Sequence, residues 1–319
     1  MANEAVVVEA GDRLLIRSFE MPRPRDDEAV VRVEAFSLNR GEVRRAWSGS
    51  EVSWRPGYDL AGTVLRAAAT GIGPREGTRV VGLVPQGSWA RYVAVPIDSL
   101  AALPPITSTT TAATLPTAGL TAYYALKQGG LLLGKRVLVT GASGGVGDFA
   151  LQMARRAGAA VVVAQLRRAS HEAAALAAGA TAVAIGDSPA PARSLGPFDL
   201  IVDGVNGAVL AQALEMLAPG GVCATYGSAA GERLDFDLRR FFRSGRTSLR
   251  GIALFEELRH DDGPGPALAR LVALAASGDI RPRIAIEDSW QQIDRIARAL
   301  MARDFAGKAV LRIDGDPTA

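Results

Sequence analysis

Arg136-Val-Leu-Val-Thr140 runs directly into Gly141-Ala-Ser-Gly-Gly-Val-Gly147, and an amphipathic window, Val146–Ala157, follows. An apolar strand that opens through glycines onto a helix points the unpaired N–H groups of the first helical turn at one spot. The positive end of the helix dipole adds to the attraction there for a phosphate. Ser143, Gly144, Gly145, Val146 and Gly147 form the turn in this reading: Gly144 lets the backbone approach a pyrophosphate, and Gly147 lets the helix pack against the strand. Ala142 stands where a strict G-x-G-x-x-G has its first glycine. The strand–turn–helix setting, rather than the glycines alone, points to a dinucleotide.

Around this turn the chain alternates strand and helix. Val137–Thr140, Ala160–Ala164, Ala182–Ile185, Leu200–Val205, Val222–Tyr226 and Leu249–Leu254 are short apolar runs of the strand type. Between them lie helical windows at Val146–Ala157, Ser170–Ala178, Ala208–Leu217 and Leu238–Ser244. Apolar strands interleaved with helices predict a parallel sheet covered on both faces. Upstream, Ala5–Val8, Leu14–Arg17, Ala29–Ala35, Gly62–Arg66, Arg79–Leu83 and Ala90–Pro96 are short β-type runs separated by Gly, Pro and Asp, the pattern of a compact all-β unit. Downstream, helices near Pro266–Ala276 and Trp290–Arg303 lead into a last strand, Lys308–Ile313.

The second strand of the alternating stretch ends at the residues that choose the cofactor. An acid about 20 residues beyond the glycine turn would hold the ribose 2′-hydroxyl of NAD. This chain instead reads Gln165-Leu166-Arg167-Arg168. Two arginines suit a 2′-phosphate, which a guanidinium binds through paired charge-assisted hydrogen bonds. NADPH is the expected cofactor; a solvated helix start is the alternative reading of the same two residues.

Composition removes other classes. Among 319 residues there are 36 bases and 33 acids, giving a net charge of +3, and no basic field for nucleic acid follows from so even a balance. Cys223 is the only cysteine, and His171 and His260 are the only histidines. A catalytic zinc needs three converging protein ligands, usually His or Cys, so no metal site is expected from three such residues in separate segments. No apolar run reaches 18 residues and the first 20 lack a signal-peptide core, which leads to the expectation of a cytoplasmic protein with no membrane partner.

Further motifs sharpen this. Ser37-Leu38-Asn39, Pro56-Gly-Tyr-Asp-Leu-Ala-Gly62, Gly77-Thr-Arg-Val-Val-Gly82, Gly87-Ser-Trp-Ala-Arg-Tyr-Val93, Leu115-Pro-Thr-Ala-Gly-Leu-Thr-Ala-Tyr123, Leu217-Ala-Pro-Gly-Gly221 and Gly307-Lys-Ala-Val-Leu311 stand along the chain with the Val137–Gly147 turn. With them the sequence resembles the medium-chain dehydrogenase/reductase superfamily, in its zinc-independent quinone oxidoreductase and enoyl reductase branch. The resemblance implies an α/β protein in which a doubly wound Rossmann sheet, 118–256, is inserted in a GroES-like β-rich domain. That domain is split between 1–117 and 257–319, and the active site lies in the cleft between. It also implies a homodimer paired through the last Rossmann strand, here Ser248–Leu254, and a small-molecule acceptor.

Site residues follow from the resemblance by position. Asn39 and Thr121 would line the nicotinamide end, although turn and helix capping is the plainer use of both types. Val205, Asn206, Gly227, Ser228, Leu254 and Phe255 would border the cofactor at the C-terminal edge of the sheet, where ordinary loop residues also occur. Zinc-using members carry a ligand Cys where this chain has Asn39, and a ligand His where it has Tyr58. Tyr58 is therefore a candidate hydrogen-bond donor to the acceptor, with packing inside the β unit as the alternative. Enoyl reductases often place Tyr directly after the Asn; Arg40 stands there. Trp47, Trp54, Phe241 and Phe242 are candidates to roof an apolar pocket, with core packing the plainer use of aromatics at such spacing. Lys308 in the final strand could reach the cofactor, with a solvated lysine the plainer reading. The expected activity is hydride transfer from NADPH to a quinone or an activated C=C. A tailoring reductase or cyclase, or an NADPH-binding sensor without turnover, shares these features.

Overall fold

The computed structural model describes residues 2–9, 12–49, 55–261 and 263–315. In chain order the elements are β1 (Asn3–Glu9), β2 (Arg13–Phe19), β3 (Glu28–Leu38), α1 (Arg40–Trp47), β4 (Asp59–Arg66), β5 (Arg79–Leu83), β6 (Tyr92–Pro96), β7 (Leu100–Ala102) and α2 (Thr109–Ala113). There follow α3 (Leu120–Lys127), β8 (Arg136–Val139), α4 (Gly145–Arg156), β9 (Val161–Leu166), α5 (Glu172–Ala177), β10 (Ala182–Ile185), β11 (Phe198–Asp203), α6 (Gly207–Leu214) and β12 (Leu217–Thr225). The chain closes with α7 (Leu238–Ser244), β13 (Ser248–Gly251), α8 (Leu254–Arg259), α9 (Gly265–Ala276), β14 (Ile284–Ser289), α10 (Ile293–Ala302) and β15 (Lys308–Arg312). They gather into two compact units, Met1–Leu120 with Leu258–Ala319, and Thr121–Glu257.

The contiguous unit is a six-stranded parallel sheet in the order β10-β9-β8-β11-β12-β13. This is the doubly wound order, in which the first strand, β8, lies beside the fourth, β11, and the winding reverses between them. Val137, Leu138, Val139, Val162, Val163 and Ala164 are all fully buried, as strands covered on both faces require. The chain thus places the end of β8, and the turn behind it, at the point where the strand order switches.

The discontinuous unit is a seven-stranded sheet in which β14, β15, β3, β4, β5 and β7 follow one another and β6 pairs with β3; β1 and β2 form a separate hairpin. Phe36 stacks on Trp89 at 5.9 Å between ring centres and meets the edge of Trp290 at 6.5 Å, so the early and late segments share one core. The fold class is the expected one: a Rossmann sheet inserted in a GroES-like β-rich domain.

Several local expectations change. The last strand of the Rossmann sheet stops at Gly251 instead of reaching Leu254, because its partner β12 ends at Thr225 and the ladder closes with Ile252 N–H on Thr225 C=O. Leu254 and Phe255 consequently open helix α8 instead of following a strand. Helix α1 and strand β14 were not anticipated. Arg40–Trp47 carries three arginines, which masked its apolar stripe of Val43, Ala46 and the half-buried Trp47, and β14 is a short strand paired on β15 alone.

Candidate functional site

In the Rossmann unit, Thr140 directly follows β8 and the glycine turn carries the chain into α4. Gly144 caps the helix with extended backbone and no side chain of its own to bond the first-turn N–H groups. Gly147 lies so close to the turn that a Cβ there would come within 2.6 Å of the Gly141 carbonyl oxygen. Ser143, Gly145 and Val146 are half-buried and Gly144 is exposed, which leaves the mouth of the turn open. This is a cradle of main-chain donors at a helix N-terminus, and it fits a pyrophosphate. Arg167 and Arg168 are exposed just past the end of β9.

The loops beyond β11 and β12 are tied to this edge by Asp203, fully buried at the end of β11. Its carboxylate accepts from the Thr140 hydroxyl at 2.5 Å, the Thr225 hydroxyl at 2.9 Å, and the N–H groups of Val205 and Asn206 at 3.3 and 3.1 Å. Three neighbouring strand ends therefore meet on one side chain. Asn206 is held in the left-handed region (φ 67°) and donates its side-chain amide to Gly231 C=O. Gly227 approaches the Gly204 carbonyl so closely that a Cβ would stand 2.6 Å from its oxygen. Val205, Asn206, Gly227 and Ser228 are thus gathered by the backbone at one strand edge. Thr121 is buried in α3, in the same unit.

In the β-rich unit, Asn39 caps α1, and Glu42 at the third helical position reaches back to its N–H at 2.6 Å, the second half of a capping box. The Asn39 amide is fully engaged: its NH2 donates to Asp59 Oδ2 at 2.8 Å and Glu42 Oε1 at 3.1 Å, and its oxygen accepts from Lys308 Nζ at 2.5 Å. Asp59 also accepts from Ser37 Oγ, from Thr117 N–H and from the Thr117 hydroxyl. Lys308 is 4% exposed, not solvated as the sequence led us to expect. Its ammonium is satisfied by Leu38 C=O, by Asn39 and, at 3.6 Å, by Asp59. Burial lowers its pKa, with Asp59 and Glu42 opposing the shift. Burial, and then the Asp59 charge, raise that of Glu42.

The main-chain N–H of Tyr58 donates to Glu42 Oε2 at 2.8 Å. Its half-buried phenol is hydrogen-bonded to the Arg45 side chain, while burial and the Glu42 charge push its pKa above the ordinary 10.0. The phenol is a proton-bearing donor throughout the neutral range. The Glu42–Asp59–Lys308 cluster, the Asp203 hub and Arg45 escaped sequence reading. Lys308 inside the apolar run Ala309-Val-Leu311 was the one local hint of burial. The four aromatic candidates do not act as one group. Trp47 packs on the β-unit core beneath Arg298, Phe241 packs edge-on against Phe236, Phe242 is 65% exposed, and Trp54 lies outside the described residues.

The positions of Asn39 and Tyr58 do not suit zinc. An ammonium already occupies the Asn39 oxygen, and among the described residues no three His, Cys, Asp or Glu are grouped to hold a metal. Also among the described residues, no helix is long and apolar enough to cross a membrane.

Comparison with known proteins agrees with this architecture. The family profile described as "Alcohol dehydrogenase GroES-like domain" matches residues 25–105, and that described as "Zinc-binding dehydrogenase" matches 145–272. A 2-methylene-furan-3-one reductase from Solanum lycopersicum is 33% identical over 149 residues, covering 42% of this chain and 38% of its own. A mitochondrial NAD(P)H oxidoreductase, RTN4IP1 from Mus musculus, is 34% identical over 194 residues, covering 57% and 48%. The match thus spans less than half the length of these curated relatives. A mycobacterial protein solved in complex with NADPH superposes over 98% of this chain and 100% of its own, with TM-score 0.87 at 24% identity, a likeness of fold. Two family profiles laid in order along the chain, over 25–105 and 145–272, leave one assignment: the chain belongs to the medium-chain dehydrogenase/reductase superfamily.

Proposed function

We propose that this chain is an NADPH-dependent oxidoreductase that reduces a quinone or an activated C=C (enone or enoyl) acceptor without zinc. The observation that carries the reading is the open main-chain cradle at the start of α4, at the switch point of the sheet, with Arg167 and Arg168 past β9 where NAD-binding chains place an acid. The relatives, a 2-methylene-furan-3-one reductase and an NAD(P)H oxidoreductase, support the reaction class.

When bound, NADPH supplies the hydride. The turn from Ser143 to Gly147 at the start of α4 would receive the pyrophosphate, and Arg167 with Arg168 would receive the 2′-phosphate. Val205 and Asn206, held by Asp203, with Gly227, Ser228, Leu254 and Phe255 would border the cofactor at the C-terminal edge of the sheet, and Thr121 would line its nicotinamide end. Tyr58 donates a hydrogen bond to the acceptor oxygen as negative charge builds there. With its pKa above 10.0 it assists without giving up its proton. Asn39 serves from within, since its amide is consumed by the buried cluster.

Stopped-flow oxidation of NADPH by 1,4-naphthoquinone, a crotonyl thioester and a simple enone tests this directly. Turnover with at least one acceptor, faster with NADPH than with NADH, is the expected result. Tight NADPH binding with no oxidation by any of them refutes the enzyme reading and leaves the sensor.

A further inference from the structure

Glu42, Asp59 and Lys308 reach Asn39 from α1, β4 and β15, and all three are essentially excluded from solvent. The amide between them has a single workable orientation. Turning it over would set its NH2 against the Lys308 ammonium and its oxygen against both carboxylates, replacing three favourable contacts with three repulsive ones. The same Glu42 carboxylate that holds Asn39 holds the Tyr58 N–H through its other oxygen. Residues 39 and 58, which zinc-using relatives give to metal ligands, are thus locked to one internal cation.

We propose that Lys308 is a positioning residue: a buried ammonium that, through the Asn39 amide and the Glu42 carboxylate, fixes the start of α1 and the main chain at Tyr58 in the geometry that acceptor reduction requires. The proposal rests on the reading of Tyr58 given above. It assigns to a side chain the task of fixing these two positions, for which a metal has no fitting donor set. Without the ammonium, two buried carboxylates share one amide and no cation, so the amide loses its fixed orientation and the Tyr58 N–H its fixed acceptor. The cofactor cradle belongs to the other compact unit and keeps its own hydrogen bonds.

The test uses the full chain with Lys308→Met, Lys308→Arg and the pair Lys308→Met with Asp59→Asn, which leaves the net charge of the cluster unchanged and guards against misfolding of the single variant. We expect both Met variants to lose at least about tenfold in kcat with 1,4-naphthoquinone, with NADPH affinity within about twofold of the unmodified protein, and Lys308→Arg to recover most of the turnover. Wild-type kcat in the folded double variant overturns the proposal. A second readout is independent of activity. The chain has three asparagines, Asn3, Asn39 and Asn206, so selective 15N labelling resolves the Asn39 side-chain pair. Those two protons should exchange slowly in the unmodified protein and lose that protection in Lys308→Met, where both carboxylate acceptors remain; unchanged signals there overturn the proposal. With Lys127 and Lys135 the only other lysines, reductive methylation of the native protein should spare Lys308, and its modification at their rate also overturns it. If no acceptor is reduced at all, the functional reading fails, and the labelling and methylation results still decide the role of Lys308.

Discussion

Tyr58 shows how a residue's setting changes what its chemistry is good for. Its N–H is pinned by Glu42 and its phenol lies against Arg45, while burial holds the proton on. Tyr58→Phe should lower kcat by about tenfold or more with little change in melting temperature, because a transition-state contact is lost and packing is kept. Unchanged turnover in the folded variant would remove Tyr58 from the reaction. The raised pKa sets the pH dependence: the donor form persists through pH 6–9 and is lost only above the ordinary Tyr value of 10.0, so any loss of kcat due to Tyr58 should appear on the alkaline side alone. An acid-side fall that vanishes in Tyr58→Phe would contradict this sign. At the other end of the chemistry, Arg167→Ala with Arg168→Ala should weaken NADPH by about 10- to 150-fold, the loss of charge-assisted phosphate contacts, and leave NADH nearly unaffected. Calorimetric titration giving equal affinities for the two cofactors in the unmodified protein would end the assignment.

Between single residues and the sheet, Asp203 is the point where β8, β11 and β12 are tied together. Asp203→Ala would leave two threonine hydroxyls and two loop N–H groups without their acceptor, a loss of about 3 kcal/mol or more that a urea unfolding midpoint reads directly. A midpoint shift equivalent to under about 1 kcal/mol would mean that the loops find other partners. At the sheet's margin, β13 pairs with β12 on one side only, and Leu249, with Leu238 and Phe242 of α7, stays exposed. A dimer closed across β13 is expected from light scattering, and Leu249→Lys should weaken it; a monomeric mass at micromolar concentration would disprove it. The strand–glycine–helix turn and the six β runs were legible in the sequence because their determinants are local: apolar period, glycine placement and breaks. The Asn39 cluster was not legible, since its charges come from positions 42, 59 and 308, and nothing local reports that they converge. The end of β13 was misread for the same reason: Leu249–Leu254 continues as an apolar run, but its length is set by the neighbouring strand.

For the molecule as a whole, the donor inventory leads to a prediction about metal. Elemental analysis should find well under about one zinc per chain, and turnover should survive a chelator, since a catalytic zinc needs three convergent ligands. About one tightly bound zinc per chain would show that a ligand set exists beyond the described residues.

The closing of one sheet by its most distant strand has a consequence for synthesis. Ala309 to Arg312 pair with Ala35 to Leu38, and Lys308 reaches Leu38 across 270 positions of chain. At about 5–20 residues per second, a nascent chain waits roughly 15–55 s between making β3 and making the strand that covers its flank. The Thr121–Glu257 unit, being contiguous, has time to finish first. During that interval the margin from Ala35 to Leu38 is an edge without its β15 partner, open to aggregation while the chain is being made. Slowing the ribosome between β3 and β15 should therefore lower soluble yield more than slowing it before β3 is made.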